Sequence, residues 1–264
     1  MTFVPFEQLA AKYGMPSEQG TWAGKFKSTD IQYTLEHLGG EGKHSAQAVW
    51  TPVGCYQREV TAIVIPYRNR FYDLSVFINH LTPILRHQRR RYTIFLIEQV
   101  KPETFNRAAL FNIGYKEALK TASYSCFIFH DVDLLPEDDR MIYGCEDHPL
   151  HMTALVDKFG YQMFYEDIFG GGVAMTRTQF QKALGYPNTY FGWGAEDDDM
   201  SARLNFSKQK LMRRNFTFSR YKMIMHKRDT GNEENPKKYG TSSIILCFTK
   251  ITLHIAEDMI KVDM

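Results

Sequence analysis

Three short apolar runs constrain the fold most. Residues 61–65 read TAIVI, residues 92–97 read YTIFLI, and residues 126–129 read CFIF. Each is apolar at consecutive positions instead of alternating, the pattern of a strand covered on both faces. Pro66 bounds the first run. Between the first two, Asp73 can cap a helix reaching about His87, with Leu74, Phe77, Ile78, Leu81 and Leu85 on one face. Between the second and third, Asn106 to Leu119 fits a helix with Ala109, Leu110, Ile113 and Leu119 inward. Strand, helix, strand, helix, strand predicts an α/β domain on a mostly parallel sheet with flanking helices. Ligands of such sheets sit beyond the carboxyl ends of the strands. Pro66 to Arg70 and Asp131 to Asp133 therefore fall on one rim.

The second half is less regular. Thr153 to Val156 and Val173 to Thr176 read as strands, and Glu196 to Asn205 as a helix. Residues 1–54 are polar and weakly periodic and read as a lead-in. With 264 residues, 44% of them apolar, the chain can bury a full core. A net charge of +2 gives no reason to expect a nucleic-acid partner. The basic run from Arg86 to Arg91 reads as the solvated end of a helix. No stretch approaches the ~18 apolar residues of a membrane span, and the first thirty residues lack the zones of a signal peptide. Two N-x-S/T sequons, at Asn205 and Asn215, point instead toward a secretory compartment. The four cysteines, Cys55, Cys126, Cys145 and Cys247, have no zinc-site spacing, and Cys126 and Cys145 bracket Asp131 closely enough to bridge.

Two acidic motifs carry the chemistry. Asp131-Val132-Asp133 leaves the third strand directly, and side chains alternating along an extended segment would put both carboxylates on one side. Hard oxygen ligands suit Mg²⁺ or Mn²⁺, which neutralise a diphosphate leaving group. An isolated D-x-D is also an ordinary turn or cap. The second motif, Glu196-Asp197-Asp198-Asp199, follows Gly192-Trp193-Gly194-Ala195. Carboxylates this dense repel one another, so the cluster suits holding a polyol or taking a proton from an acceptor hydroxyl. The alternative is an acidic helix start, favoured by the helix dipole. Trp193 between glycines can stack on a sugar or be buried between loops. Met223 and His226 stand three apart in an apolar stretch. Read as core they are ordinary; read as ligands beside a carboxylate they favour Mn²⁺ over Mg²⁺. Arg68, Arg70, Arg107 and Lys158 are candidate phosphate or uracil contacts.

Taken in order, these segments resemble the inverting β-1,4-galactosyltransferase family, and most closely its N-acetylgalactosaminyltransferase members. The resemblance is carried by Ile65-Pro66-Tyr67-Arg68-Asn69-Arg70, by Phe105-Asn106-Arg107-Ala108, and by the segment from Cys126 to Leu134. It continues through Asp157-Lys158-Phe159-Gly160, Phe169-Gly170-Gly171, the segment from Gly192 to Asp199, and the segment from Met223 to Asp229. It implies a GT-A-like single domain over residues 55–239, between the lead-in of residues 1–54 and a divergent tail of residues 240–264. It implies Mn²⁺ held by Asp133, Met223 and His226, and a UDP-sugar site lined by Pro66, Tyr67, Arg68, Arg70, Phe105, Arg107, Asp131, Val132 and Lys158. Asp197 would be the general base, with Glu196 at the sugars and Trp193 on a closing loop. Tyr165, Asp198 and Tyr239 would shape the acceptor site, and Cys126 would pair with Cys145. Galactose-transferring members carry Tyr immediately before Phe-Gly-Gly, where this chain has Ile168; that implies UDP-GalNAc over UDP-Gal as donor. The expected acceptor is a glycan ending in β-GlcNAc on protein or lipid. The expected place is the Golgi lumen, with membrane attachment only through an anchor absent from this chain. A galactosyltransferase, or a non-catalytic UDP-sugar or glycan-binding homologue with an altered C-terminus, is the alternative reading.

Overall fold

The computed structural model describes residues 45–50, 59–99, 104–163 and 165–226. Cys55, Cys247, Tyr239 and the tail of residues 240–264 lie outside them. Ten strands and four α-helices occur among the described residues. In chain order they are β1 (Ser45–Trp50), β2 (Val60–Tyr67), α1 (Phe71–His87), β3 (Arg91–Glu98), α2 (Arg107–Thr121), β4 (Cys126–His130), β5 (Leu134–Pro136), β6 (Leu150–His151) and β7 (Leu155–Val156). After a 3-10 turn (Asp157–Phe159) come β8 (Gly172–Thr176), α3 (Arg177–Lys182), α4 (Glu196–Phe206), β9 (Met212–Arg213) and β10 (Arg220–Met223).

The central sheet runs β1-β3-β2-β4-β8-β6-β9, and a smaller one runs β5-β10-β7. The expected parallel unit is its heart, with β3, β2 and β4 parallel. Antiparallel β1 and β8 flank that unit, so the whole sheet is mixed. The apolar runs are explained by cover on both faces. Ile63 and Ile65 of β2 point into one core cluster with Leu74, Phe77, Leu81 and Leu85 of α1. Ala62 and Val64 point into the opposite cluster with Leu110, Phe111, Phe127, Phe129 and Phe180. On α2 the buried positions are Ala108, Ala109, Leu110, Phe111, Asn112, Gly114, Tyr115 and Ala118, whereas Ile113 and Leu119 are only partly covered.

Four local readings are corrected. Pro66 does not end β2, which continues to Tyr67. Pairing to β4 stops at Val64, so no ladder bond needs the N–H that Pro66 lacks. Asp73 does not cap α1; the helix starts at Phe71, and Asp73 instead accepts from Arg70 Nη1 at 3.3 Å in its first turn. Of residues 153–156 only Leu155–Val156 is strand, because the N–H groups of Met152 and Thr153 converge on Gly172 O and break the even ladder there. Within the lead-in, residues 45–50 form edge strand β1, in register with β3 from Ser45↔Ile97 to Trp50↔Tyr92.

Cys126 and Cys145 are joined by a disulfide that ties the start of β4 to the loop before β6. Both sequon asparagines are exposed, Asn205 near the end of α4 and Asn215 in the turn before β10. Among the described residues no helix is long and apolar enough to cross a membrane.

Candidate active site

At the carboxyl ends of β2 and β4 the chain turns out of the sheet, and antiparallel β8 begins at the same end. Three segments therefore meet there: Arg68–Arg70, Asp131–Asp133 and Phe169–Gly171. Helix α2 adds Arg107 as its first residue. Its N-cap is Asn106, whose side chain accepts from Ala109 N at 2.9 Å and donates to Asn188 O at 2.7 Å. Helix α4 adds its acidic N-terminus, entered through left-handed backbone at Gly194 (φ 103°) and Ala195 (φ 82°). That bend sends Trp193 outward, 46% exposed, and turns Glu196 inward, 5% exposed.

Arg107 organises the centre. Its Nε donates to Asp131 Oδ1 at 2.5 Å, and its Nη1 donates to Asp197 Oδ1 at 2.7 Å and Glu196 Oε1 at 3.3 Å. Its Nη2 reaches Gly171 O at 3.4 Å, and its guanidinium lies 4.7 Å from the Phe111 ring centroid. Burial acts to lower its pKa, but the facing carboxylates of Asp131, Asp197 and Glu196 hold it well above the usual value. Three carboxylates on one cation leave an excess of negative charge, and burial makes that charge costly. Burial, then the charge of Asp197, pushes Glu196 up to about 7 despite Arg107. Burial pushes Asp131 up to about 6 against the pull of Arg107, with Asp133 adding to the rise. Burial also raises Asp197, again against Arg107. Asp131 and Asp197 keep 26% and 29% of their side-chain surface, so the desolvation argument is strongest for Glu196. Glu196 Oε2 is buried without a hydrogen-bond partner. These groups titrate as one cluster, with protons shared among them.

The two aspartates of the D-x-D motif do not present a common side, as extended alternation predicted. Residues 131–133 form a turn between β4 and β5, so the side chains diverge. Asp131 faces Arg107, while Asp133 Oδ2 lies 2.9 Å from His226 Nε2 and 3.8 Å from Arg70 Nη1. Sheet pairing adds Met223, which stands opposite Leu134. Ile224 N donates to Asp133 O, and Met223 N to Asp157 Oδ1, both at 2.8 Å, fastening the end of β10 to the motif. Two ligands at right angles around an ion about 2.1 Å away lie about 3 Å apart. The Asp133–His226 spacing fits that, and carboxylate, imidazole and thioether form a coherent donor set for a borderline divalent ion.

The remaining predicted residues distribute around this centre. Pro66, Tyr67, Arg68 and Val132 are buried, and the Arg68 guanidinium lies 4.9 Å from the Phe105 ring centroid. Lys158 is exposed on the 3-10 turn beside Asp157. The Tyr165 hydroxyl donates to Asp198 Oδ1 at 2.5 Å. Gly170 presses so closely on Asp197 that a Cβ there would overlap Asp197 Oδ2. Its carbonyl accepts from Thr153 Oγ1 at 2.8 Å. The sequence reading missed two of the residues behind this loop, His151 and Thr153. Their only signal is a spacing of two at the end of an apolar pair.

Known proteins are similar to this chain in sequence and in fold. Residues 15–146 match the N-terminal region of glycosyl transferase group 7, and residues 150–227 match the N-terminal domain of galactosyltransferase. Over 192 residues the chain is 46% identical to β-1,4-galactosyltransferase 2 of Cricetulus griseus, covering 72% of this chain and 52% of the relative. Over 205 residues it is 42% identical to human β-1,4-galactosyltransferase 4, covering 78% and 60%. The chain thus spans about half the length of the curated relatives it matches. Among solved structures, a mutant of Drosophila β-1,4-galactosyltransferase 7 in complex with manganese, UDP-Gal and xylobiose is similar. Its TM-score is 0.57 at 31% identity, over 68% of this chain and 78% of that one. The catalytic domain of the same enzyme with xylobiose gives a TM-score of 0.53 at 34% identity, over 59% and 64%.

Proposed function

The chain belongs to the β-1,4-galactosyltransferase family, and we propose that it is an inverting, Mn²⁺-dependent hexosyltransferase moving GalNAc in preference to Gal from a UDP-sugar to the 4-hydroxyl of a terminal β-GlcNAc. The observation that carries this reading is the Arg107 cluster with Asp131, Glu196 and Asp197, set beside the Asp133–His226 pair. A carboxylate able to take a proton, beside a carboxylate–imidazole pair able to take a cation, supports a one-displacement transfer from a diphosphate.

Asp133, Met223 and His226 would hold the metal, which when bound supplies positive charge to the diphosphate leaving group. Asp197 acts as the base. Its Oδ1 is oriented by Arg107, and its raised pKa makes it a better proton acceptor once ionised. It takes the proton of the acceptor 4-hydroxyl, the hydroxyl oxygen attacks the anomeric carbon, and the bond to UDP breaks on the opposite face, inverting the centre. Asp198 accepts from acceptor hydroxyls and Tyr165 steadies it, whereas Glu196, expected at the sugars, is buried against Arg107 and acts through it. Arg107 is assigned more to holding Asp131, Glu196 and Asp197 than to phosphate, since most of its N–H groups already face them. Arg68, Arg70 and Lys158 remain for the UDP moiety. Trp193, on its left-handed hinge, closes over the donor. The disulfide suits an oxidising compartment such as the Golgi lumen.

Ile168 carries the donor preference, because a residue without a phenol leaves room for a 2-acetamido group. The test is Mn²⁺-dependent UDP release from UDP-GalNAc and UDP-Gal, with and without a β-GlcNAc acceptor, for the wild type and Ile168→Tyr. Acceptor-dependent release favouring UDP-GalNAc, reversed in the variant, is the expected result. A wild type preferring UDP-Gal would leave a galactosyltransferase in its place.

A further inference from the structure

The segment from Tyr165 to Gly170 carries Ile168 and Tyr165 and walls Asp197, yet it has no regular secondary structure to hold it. Its alternate carbonyls are held by a small set of side chains. Arg213 Nη2 donates to Glu166 O at 2.6 Å and to Ile168 O at 2.8 Å. The third carbonyl, Gly170 O, accepts from Thr153 Oγ1 at 2.8 Å and lies 3.1 Å from His151 Nε2. Arg213 Nε lies 3.2 Å from His151 Nδ1. Arginine can only donate, so Nδ1 must be the accepting nitrogen and Nε2 carries the proton. Burial, then the charge of Arg213, lowers the His151 pKa to about 3, consistent with that neutral tautomer. His151 and Arg213 stand opposite each other in the parallel pair β6–β9, so strand register sets the whole chain of contacts.

We infer that Arg213, acting partly through His151, is a positioning residue for donor and acceptor selectivity: it fixes the Tyr165–Gly170 segment from behind. The inference rests on the roles given above to Ile168 and Tyr165. Arg213 need touch neither sugar. Glu166 and Ile168 are two residues apart, so one planar guanidinium nitrogen holding both carbonyls sets the height of Ile168 above the donor and the reach of Tyr165 toward Asp198. If the clamp slackens, the room at the donor 2-position is no longer defined.

The test compares wild type, Arg213→Met, Arg213→Lys, His151→Leu and His151→Gln. Amide hydrogen exchange over residues 165–171 reads the clamp without any need for turnover. In Arg213→Met those amides exchange at least roughly tenfold faster, the scale expected for losing charge-assisted bonds. The ratio of kcat/KM for UDP-GalNAc over UDP-Gal falls by a similar factor toward unity, acceptor KM rises, and Mn²⁺ affinity is unchanged. Arg213→Lys restores part of the selectivity. His151→Leu gives the same change in weaker form and carries the test should Arg213→Met fail to fold, while His151→Gln, which can both accept and donate, stays near wild type. Folded variants with wild-type exchange and a wild-type donor ratio overturn the inference. A wild type that turns over neither donor refutes the proposed function instead, and exchange then decides the clamp by itself.

Discussion

At the scale of single residues, Arg107 is a position where even a conservative substitution is costly. Its planar donors face three carboxylates and a carbonyl in different directions, which a lysine ammonium cannot do. Arg107→Lys is expected to lower kcat/KM about 100-fold or more, the scale of losing preorganised charge stabilisation. Mn²⁺ affinity, measured by calorimetric titration, should stay near wild type, because Asp133, Met223 and His226 are untouched. Gly170→Ala is a milder probe. Its methyl must displace the Asp197 carboxylate, so kcat should fall with little change in Mn²⁺-dependent UDP binding. The acidic residues were legible in the sequence because carboxylates crowded at a strand end and a helix start have few reasons to be there. The divergence of Asp131 from Asp133 was not legible, since it depends on a turn that only the distant pairing of β5 with β10 imposes. Arg213 was illegible for a different reason: beside Arg214 it looks like ordinary surface charge.

At the scale of elements, close packing of α2 on the sheet is as consequential as any ion pair. Gly114 faces β2 so tightly that a Cβ would overlap the Val64 side chain and touch Ile97 Cγ1 at 3.0 Å. Gly114→Ala should destabilise the protein by about 1–3 kcal/mol despite its better helix propensity, as seen in denaturant unfolding. The disulfide closes a loop between cysteines 19 residues apart. Replacing both by serine should cost about 3 kcal/mol, measured as a lower unfolding midpoint, with a steeper slope because the uncrosslinked unfolded chain exposes more surface. β2, β3 and β4 were legible as unbroken apolar runs and α1 from its helical period, whereas six-residue β1 was not. The two- to four-residue strands β6, β9 and β10 were not, for a run that short has no period, and its pairing is decided by chain far away in sequence.

For the whole molecule, the buried cluster makes stability depend on pH. Burial raises the folded-state pKa of Glu196 from 4.5 to about 7, and that of Asp131 from 3.8 to about 6. The folded protein therefore holds these protons more tightly than the unfolded chain. Their contribution is fully present below about pH 4 and is lost as pH rises through 6 to 7. Glu196→Gln removes one such group. Between pH 4.5 and 7 its stability should fall less steeply than that of wild type, by on the order of 2 kcal/mol over the interval. Parallel urea titrations across that range measure the difference; identical slopes would show that Glu196 ionises freely in the folded state. The proposed base must be ionised to act, so turnover should rise over the pH range in which this cluster's contribution to stability is lost.

The pairing of β10 has a consequence in time. This strand joins β5 and β7, both formed from chain made much earlier, and it carries Met223 and leads to His226. Every strand of the central sheet among the described residues therefore leaves the ribosome before the second and third of the proposed cation ligands. On that proposed set, Asp133 stands without its two partners until β10 docks, so a nascent domain can form much of its sheet before it can retain an ion. On the proposed ligand set, metal capture therefore waits until β10 has docked on the scaffold described beneath it.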